Sequence, residues 1–178
     1  MPRTAASSTP PSYNPLAAGP YCPSAFLMNL VAPLLDSQSV LINQAFTSKR
    51  KFFEHAAARV ESCRGLKAAA ILDNLLERER LGSTALGQGV AIPHGRLKGL
   101  SGATGMFYRL NPPLDFDAPD ERPVALCFVL LVPMDADEHH LQILGELAQM
   151  LGDETLRRRL LNAPGAEDIY RIIAAWTP

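Results

Sequence analysis

The sequence predicts an α/β fold, and three observations carry that prediction. From Asn29 to the C-terminus, segments with apolar residues at helical spacing alternate with short β-type runs. Residues 124–132 form a nearly unbroken apolar stretch, the pattern of a central strand covered on both faces. Apolar residues make up 47% of the 178 and charged residues 20%, enough to build the core such a sheet needs.

Taken in order, Val40-Leu41-Ile42 is a short β-type run. Ser48 offers an N-cap for a helix through Cys63, with Phe52, Phe53, Ala56, Ala57 and Val60 as its apolar stripe. Residues 66–81 repeat the helical pattern, with Ile71, Leu72, Leu75 and Leu76 inward and a run of charges at the end. The Gly-rich segment 82–89 leads into Val90-Ala91-Ile92-Pro93-His94, a strand stopped by proline. Residues 104–110 and 124–132 are strands. Asp135 or Asp137 caps a long helix to Leu151, and Asp153 caps another to Leu161. A last helix over 166–176 sets Ile169, Ile172, Ile173 and Trp176 at i, i+3, i+4 and i+7.

Residues 1–27 differ from the rest. They hold six of the fifteen prolines, Arg3 as their one charge and no period, so they are expected to be a flexible Pro-rich extension to a domain spanning 28–178. They lack the charged start and continuous apolar core of a signal peptide.

Charge and cysteine usage exclude several functions. Seventeen Lys+Arg against eighteen Asp+Glu leave no basic excess for nucleic acid and no polybasic cluster for a membrane surface. Three cysteines without a CxxC argue against a disulfide framework or zinc knuckle and fit a reducing cytoplasm. Cys63 and Cys127 fall on expected apolar faces. No apolar run reaches the ~18 residues of a membrane helix.

Two histidines stand out. His94 follows Pro93 and precedes Gly95, so small neighbours leave its ring unshielded while proline fixes the backbone that aims it. A neutral imidazole is a competent nucleophile and phosphoryl acceptor. His140 lies on the midline of the apolar face with Leu144, Leu147 and Leu151, where it needs a polar partner. The alternative for His94 is a satisfied structural histidine, and for His140 a core histidine bonded to a backbone carbonyl. No HxxxH, HxH or HExxH pattern supports a metal. Ser83, Thr84, Gly87 and Gly89 supply the hydroxyls and approachable amides of an anion-cradling turn, and Arg78 a counter-charge. Arg157-Arg158-Arg159 is expected to be a solvated face.

Together, Arg78-Glu79-Arg80-Leu81-Gly82-Ser83-Thr84 and Gly87-Gln88-Gly89-Val90-Ala91-Ile92-Pro93-His94-Gly95-Arg96-Leu97 resemble the active-site signature of enzyme IIA proteins of the fructose/mannitol type, most of all their nitrogen-regulatory branch. Leu131-Val132-Pro133, His140-Leu141 and Asp168-Ile169-Tyr170 extend the resemblance downstream. It implies a mixed, mainly five-stranded sheet flanked by helices, and a cytoplasmic phosphotransferase needing no cofactor or metal. His94 matches the phosphorylated histidine, modified on Nε2, and His140 the second active-site histidine. The other ring nitrogen of His94 should then donate to a backbone carbonyl. The phosphoryl group would arrive from phosphoenolpyruvate through enzyme I and an HPr/NPr-like carrier protein. Three functions remain open: a regulator of targets such as sensor kinases or potassium transporters, a sugar-pathway enzyme IIA feeding a IIB domain, and a non-catalytic binding module.

Overall fold

The computed structural model describes residues 29–178, apart from Ser37, Ala136 and Asp137 and the side chains of Glu138 and His139. The extension expected over 1–27 and the cap expected at Asp137 lie outside the described residues.

After a 3-10 turn at Ala32–Leu34, the elements run β1 (Val40–Gln44), α1 (Lys49–Arg64), α2 (Ala68–Arg80), β2 (Ala85–Gly87), β3 (Val90–Ala91), β4 (His94–Leu97), β5 (Thr104–Leu114), β6 (Val124–Pro133), α3 (Glu138–Gly152), α4 (Glu154–Asn162) and α5 (Ala166–Ala174). Among the described residues the strands form one mixed sheet of six, ordered β1-β5-β6-β3-β2, with β4 also paired to β6. β5 and β6 are antiparallel; β1 on β5, and β3 and β4 on β6, are parallel.

The apolar run of β6 is explained by its place at the centre. Successive side chains of a strand point to opposite faces. Leu126, Phe128, Leu130 and Val132 therefore pack with Ile143, Leu147, Leu160 and Ile169 of α3–α5. Cys127, Val129 and Leu131 pack with Phe52, Phe53, Ile71 and Leu75 of α1 and α2. Burying each of Phe52 and Phe53 contributes roughly 1.5–3 kcal/mol over leaving it in water.

The expected caps are present where they can be seen. Ser48 Oγ accepts from Lys51 N at 3.2 Å, and Asp153 Oδ1 from Thr155 N at 2.8 Å. The whole predicted stripe of α1 is buried.

Four expectations needed correction. The strand foreseen over 90–94 is two strands: Ile92 and Pro93 interrupt it, and β4 begins at His94 and continues to Leu97. Proline has no N–H to give a neighbour, so the ladder breaks there and resumes one residue later. Part of the Gly-rich segment is itself a strand, β2, which pairs antiparallel with β3. Arg157 is not on a solvated face; it is 8% exposed, and its Nη1 donates to the carbonyls of Leu151 (2.9 Å) and Gly152 (2.6 Å). One helical period carries it inward, where a cation satisfies the free carbonyls at the end of α3. Cys127 is buried as expected, whereas Cys63 is only half-buried.

Candidate functional site

Strand β4 lies at an open position of the sheet, since among the described residues β6 is its only strand partner. A cavity of about 710 Å³ opens beside it, between the C-terminal turns of α2 and the first turn of α3. Asn74 and Arg78 reach it from α2, His94 and Arg96 from β4, and His140 from α3; Leu130, Val132 and Leu144 are among its apolar walls.

The His94 ring is fixed at both nitrogens. Nδ1 lies 2.8 Å from the carbonyl of Ile92, and Arg78 Nε lies 3.0 Å from Nε2. A carbonyl can only accept and a guanidinium can only donate. The proton therefore sits on Nδ1, and Nε2 presents its lone pair to the cavity. Burial holds the ring's pKa below the ordinary 6.5; the bond to Ile92 and the charge of Glu79 oppose this, while the charges of Arg78 and His140 add to it. The consequence is a neutral, half-buried imidazole whose distal nitrogen is a nucleophile.

Arg78 is tethered in turn, its Nη1 donating to Gly82 O at 3.0 Å. On the other wall, Arg96 Nη2 donates to His140 Nε2 at 2.7 Å. His94 and Arg96 alternate along β4 and so share a face. His140 sits at the open end of the α3 stripe that it was expected to share with Leu147 and Leu151, and there it is only half-buried.

Four residues expected to bind phosphate are placed elsewhere. Ser83 Oγ donates to Phe116 O at 2.5 Å. Thr84, 6% exposed, donates through Oγ1 (2.6 Å) and N (3.1 Å) to Glu79 Oε2. Glu79 is also paired with Lys49 at 2.9 Å, so these hydroxyls belong to a cluster that clamps the segment after α2. Gly87 and Gly89, with φ of 85° and 78°, bend the β2–β3 connection. The turn does cradle an anion, but that anion is Asp120, whose Oδ2 accepts from Gln88 N at 2.6 Å. This bond, its largest influence, holds the Asp120 carboxyl below the usual carboxylate range.

Arg96 and Asn74 were not among the expected site residues. The i, i+2 spacing from His94 within a strand could have found Arg96; no sequence signal marks Asn74.

Among the described residues no group of three or more His, Cys, Asp or Glu is arranged to hold a metal ion. No described helix is long and apolar enough to cross a membrane.

The family profile for the phosphoenolpyruvate-dependent sugar phosphotransferase system, EIIA 2, matches residues 33–176. The chain belongs to that family. Its relatives include proteins named nitrogen regulatory protein. The one from Pseudomonas aeruginosa is 44% identical over 134 residues, covering 75% of this chain and 87% of the relative. The one from Bradyrhizobium diazoefficiens is 38% identical over 148 residues, covering 83% and 94%. The crystal structure of nitrogen regulatory protein IIA-Ntr from Neisseria meningitidis superimposes with a TM-score of 0.78 at 41% identity, covering 82% of this chain and 99% of that one. Enzyme IIA proteins are phosphotransferases that work through a phosphohistidine, and this chain is a phosphocarrier of that system.

Proposed function

We propose that His94 Nε2 accepts the phosphoryl group from an HPr/NPr-like carrier protein, itself charged by enzyme I, and that the phosphorylation state of this chain regulates other proteins. The observation that carries the proposal is the pair of bonds on the ring, from Nδ1 to Ile92 O and from Arg78 Nε to Nε2. In the transfer, the Nε2 lone pair attacks phosphorus, the donor's N–P bond breaks, and its electron pair returns to the donor imidazole. His94 need not lose a proton, because Nε2 carries none. The positive charge left on the phosphorylated ring is eased by the Nδ1–H bond to Ile92. One imidazole replaces another, so positioning and charge stabilisation supply most of the catalysis.

Arg78 is then in place to turn from Nε2, whose lone pair is used, to the phosphoryl oxygens. Arg96 and His140 supply the opposite wall. In the resting protein His140 Nε2 accepts from Arg96, so it donates to phosphate only after Arg96 moves its own hydrogen bond to a phosphoryl oxygen and His140 takes a proton. Ser83 and Thr84 are left out of this scheme because their hydroxyls are engaged elsewhere, and Gly87 and Gly89 because they do not line the cavity.

The regulatory branch is supported by the relatives named nitrogen regulatory proteins, which the chain matches over most of their length. Its targets would be of the sensor-kinase or potassium-transporter kind that the resemblance implies. Residues 28–178 are proposed as the functional domain. Incubation with phosphoenolpyruvate, enzyme I and carrier protein, followed by intact mass measurement, tests the assignment. One acid-labile phosphoryl group on the wild type and none on His94→Ala is the expected result; equal labelling of both would refute it.

A further inference from the structure

We infer that Asn74 is a positioning residue for phosphoryl transfer: its side chain closes the open edge of β4 against α2 and so sets the reach of Arg78 to His94. The inference rests on the reading of His94 as acceptor.

The argument begins with the backbone of β4. Pro93 O accepts from Leu130 N (2.8 Å) and Leu97 O from Met134 N (3.0 Å), so alternate carbonyls along this strand face β6. The carbonyl of Arg96 points the other way, where no strand follows among the described residues. An open edge of this kind leaves backbone groups in search of partners. Asn74 supplies one: its Nδ2 donates to Arg96 O at 2.7 Å. The contact is close because position 95 is glycine. A Cβ there would fall far inside van der Waals contact with Asn74 Oδ1 and would come to 3.1 Å from its Cγ.

Asn74 and Arg78 are four residues apart on α2 and so lie one above the other on the same face. The bond at position 96 and the fit at position 95 thus fix the helix against the strand one turn before Arg78 leaves it. Besides burial, the charges that act on the His94 ring are those of Arg78 and Glu79 from α2 and of His140 from α3. Moving α2 relative to β4 changes the first two together. A displacement of about 1 Å is enough to slow an oriented reaction severely.

Three variants of the full chain test this: Asn74→Ala, Gly95→Ala and the double variant. In Asn74→Ala, phosphoryl transfer should fall by about tenfold with KM for the carrier protein unchanged. Its His94 titration, followed by NMR in the unphosphorylated protein, should move up towards the ordinary histidine value. Alanine is a strong helix former, so Tm should hold within a few degrees. Gly95→Ala should impair both Tm and transfer, and adding Asn74→Ala should bring both back to the level of the single Asn74 variant, because the clashing atoms are gone. An unchanged titration or an unchanged rate in Asn74→Ala overturns the inference, as does a double variant no better than Gly95→Ala. Mass labelling of the wild type at a residue other than His94 would overturn the parent reading instead. The titration would still decide whether Asn74 governs the Arg78–His94 contact.

Discussion

Arg78 Nε donates to His94 Nε2 at 3.0 Å, so the nitrogen proposed to take the phosphoryl group is held in the resting protein by the cation that would bind the product. The contact fixes the ring's tautomer and adds to the burial that keeps it neutral, and it must break in each transfer. Its second bond, from Nη1 to Gly82 O, keeps the guanidinium within reach while it turns.

The first prediction concerns pH. The His94 pKa is lowered on folding, so below about pH 6.5 the unfolded chain binds a proton that the native state refuses. Stability should therefore rise with pH through that window and be lost as pH falls below it. Burial is the largest cause and the charge of Arg78 a smaller one. Arg78→Ala should move the His94 titration up and flatten this dependence without abolishing it. Histidine NMR titration and urea melts between about pH 5 and 7 would show it; a downward move would contradict the geometry.

Arg96 and His140 form one unit. Loss of a donor to the developing charge slows a transfer by about 10²-fold or more. Arg96→Ala and His140→Ala should each slow phosphorylation by that order, while His94 remains the labelled residue. Because the two are bonded to one another at 2.7 Å, the double variant should cost less than the product of the singles. Single-turnover kinetics with a phosphorylated carrier protein would measure all three. Fully multiplicative losses would show that the pair does not act together.

Thr84 separates scaffold from site. Thr84→Val removes a 2.6 Å hydrogen bond to Glu79 and leaves a buried carboxylate one donor short. The expected cost is about 1–3 kcal/mol in stability, with the phosphorylation rate changed less than about threefold. If the rate fell by two orders of magnitude while stability held, the hydroxyl would have to be returned to the phosphate site.

Phosphorylation should exchange partners. It adds roughly two negative charges to a cavity rimmed by exposed apolar side chains, Leu81 at 87% and Leu141 at 59% exposure. A protein docked on that rim would have to desolvate the dianion, at a cost of several kcal/mol unless it brings cations. His94→Asp should therefore lose partners that His94→Ala keeps. Pull-downs with both variants check this; identical sets of partners, with phosphate passed only to a IIB domain, would favour the sugar-pathway function.

Much of the scaffold was legible in the sequence because local rules sufficed. The caps at Ser48 and Asp153, the stripe of α1 and the two-faced burial of β6 follow from periods of 3.6 and 2 and from short-range hydrogen bonding. His94 was legible for a similar reason: its proline and glycine neighbours act on the backbone at that position. The sequence by itself thus determined an α/β sheet protein with one aimed histidine and a helix-borne second one.

The tertiary structure alone decided what surrounds them. Hydroxyls and glycines in the signature suggested a phosphate cradle. Yet Glu79 captures Thr84, Phe116 captures Ser83, and the turn at Gln88 already holds the carboxylate of Asp120, which lies 32 residues further along the chain. Arg157 looked like one of three solvated cations until α3 ended beside it. Arg96 meets His140 across 44 residues, and Asn74 meets the β4 edge across 22. Such pairings depend on which strand is left without a neighbour and which carbonyls point outward. Those are properties of sheet order and register, which the packing of whole elements sets and no short run of residues encodes.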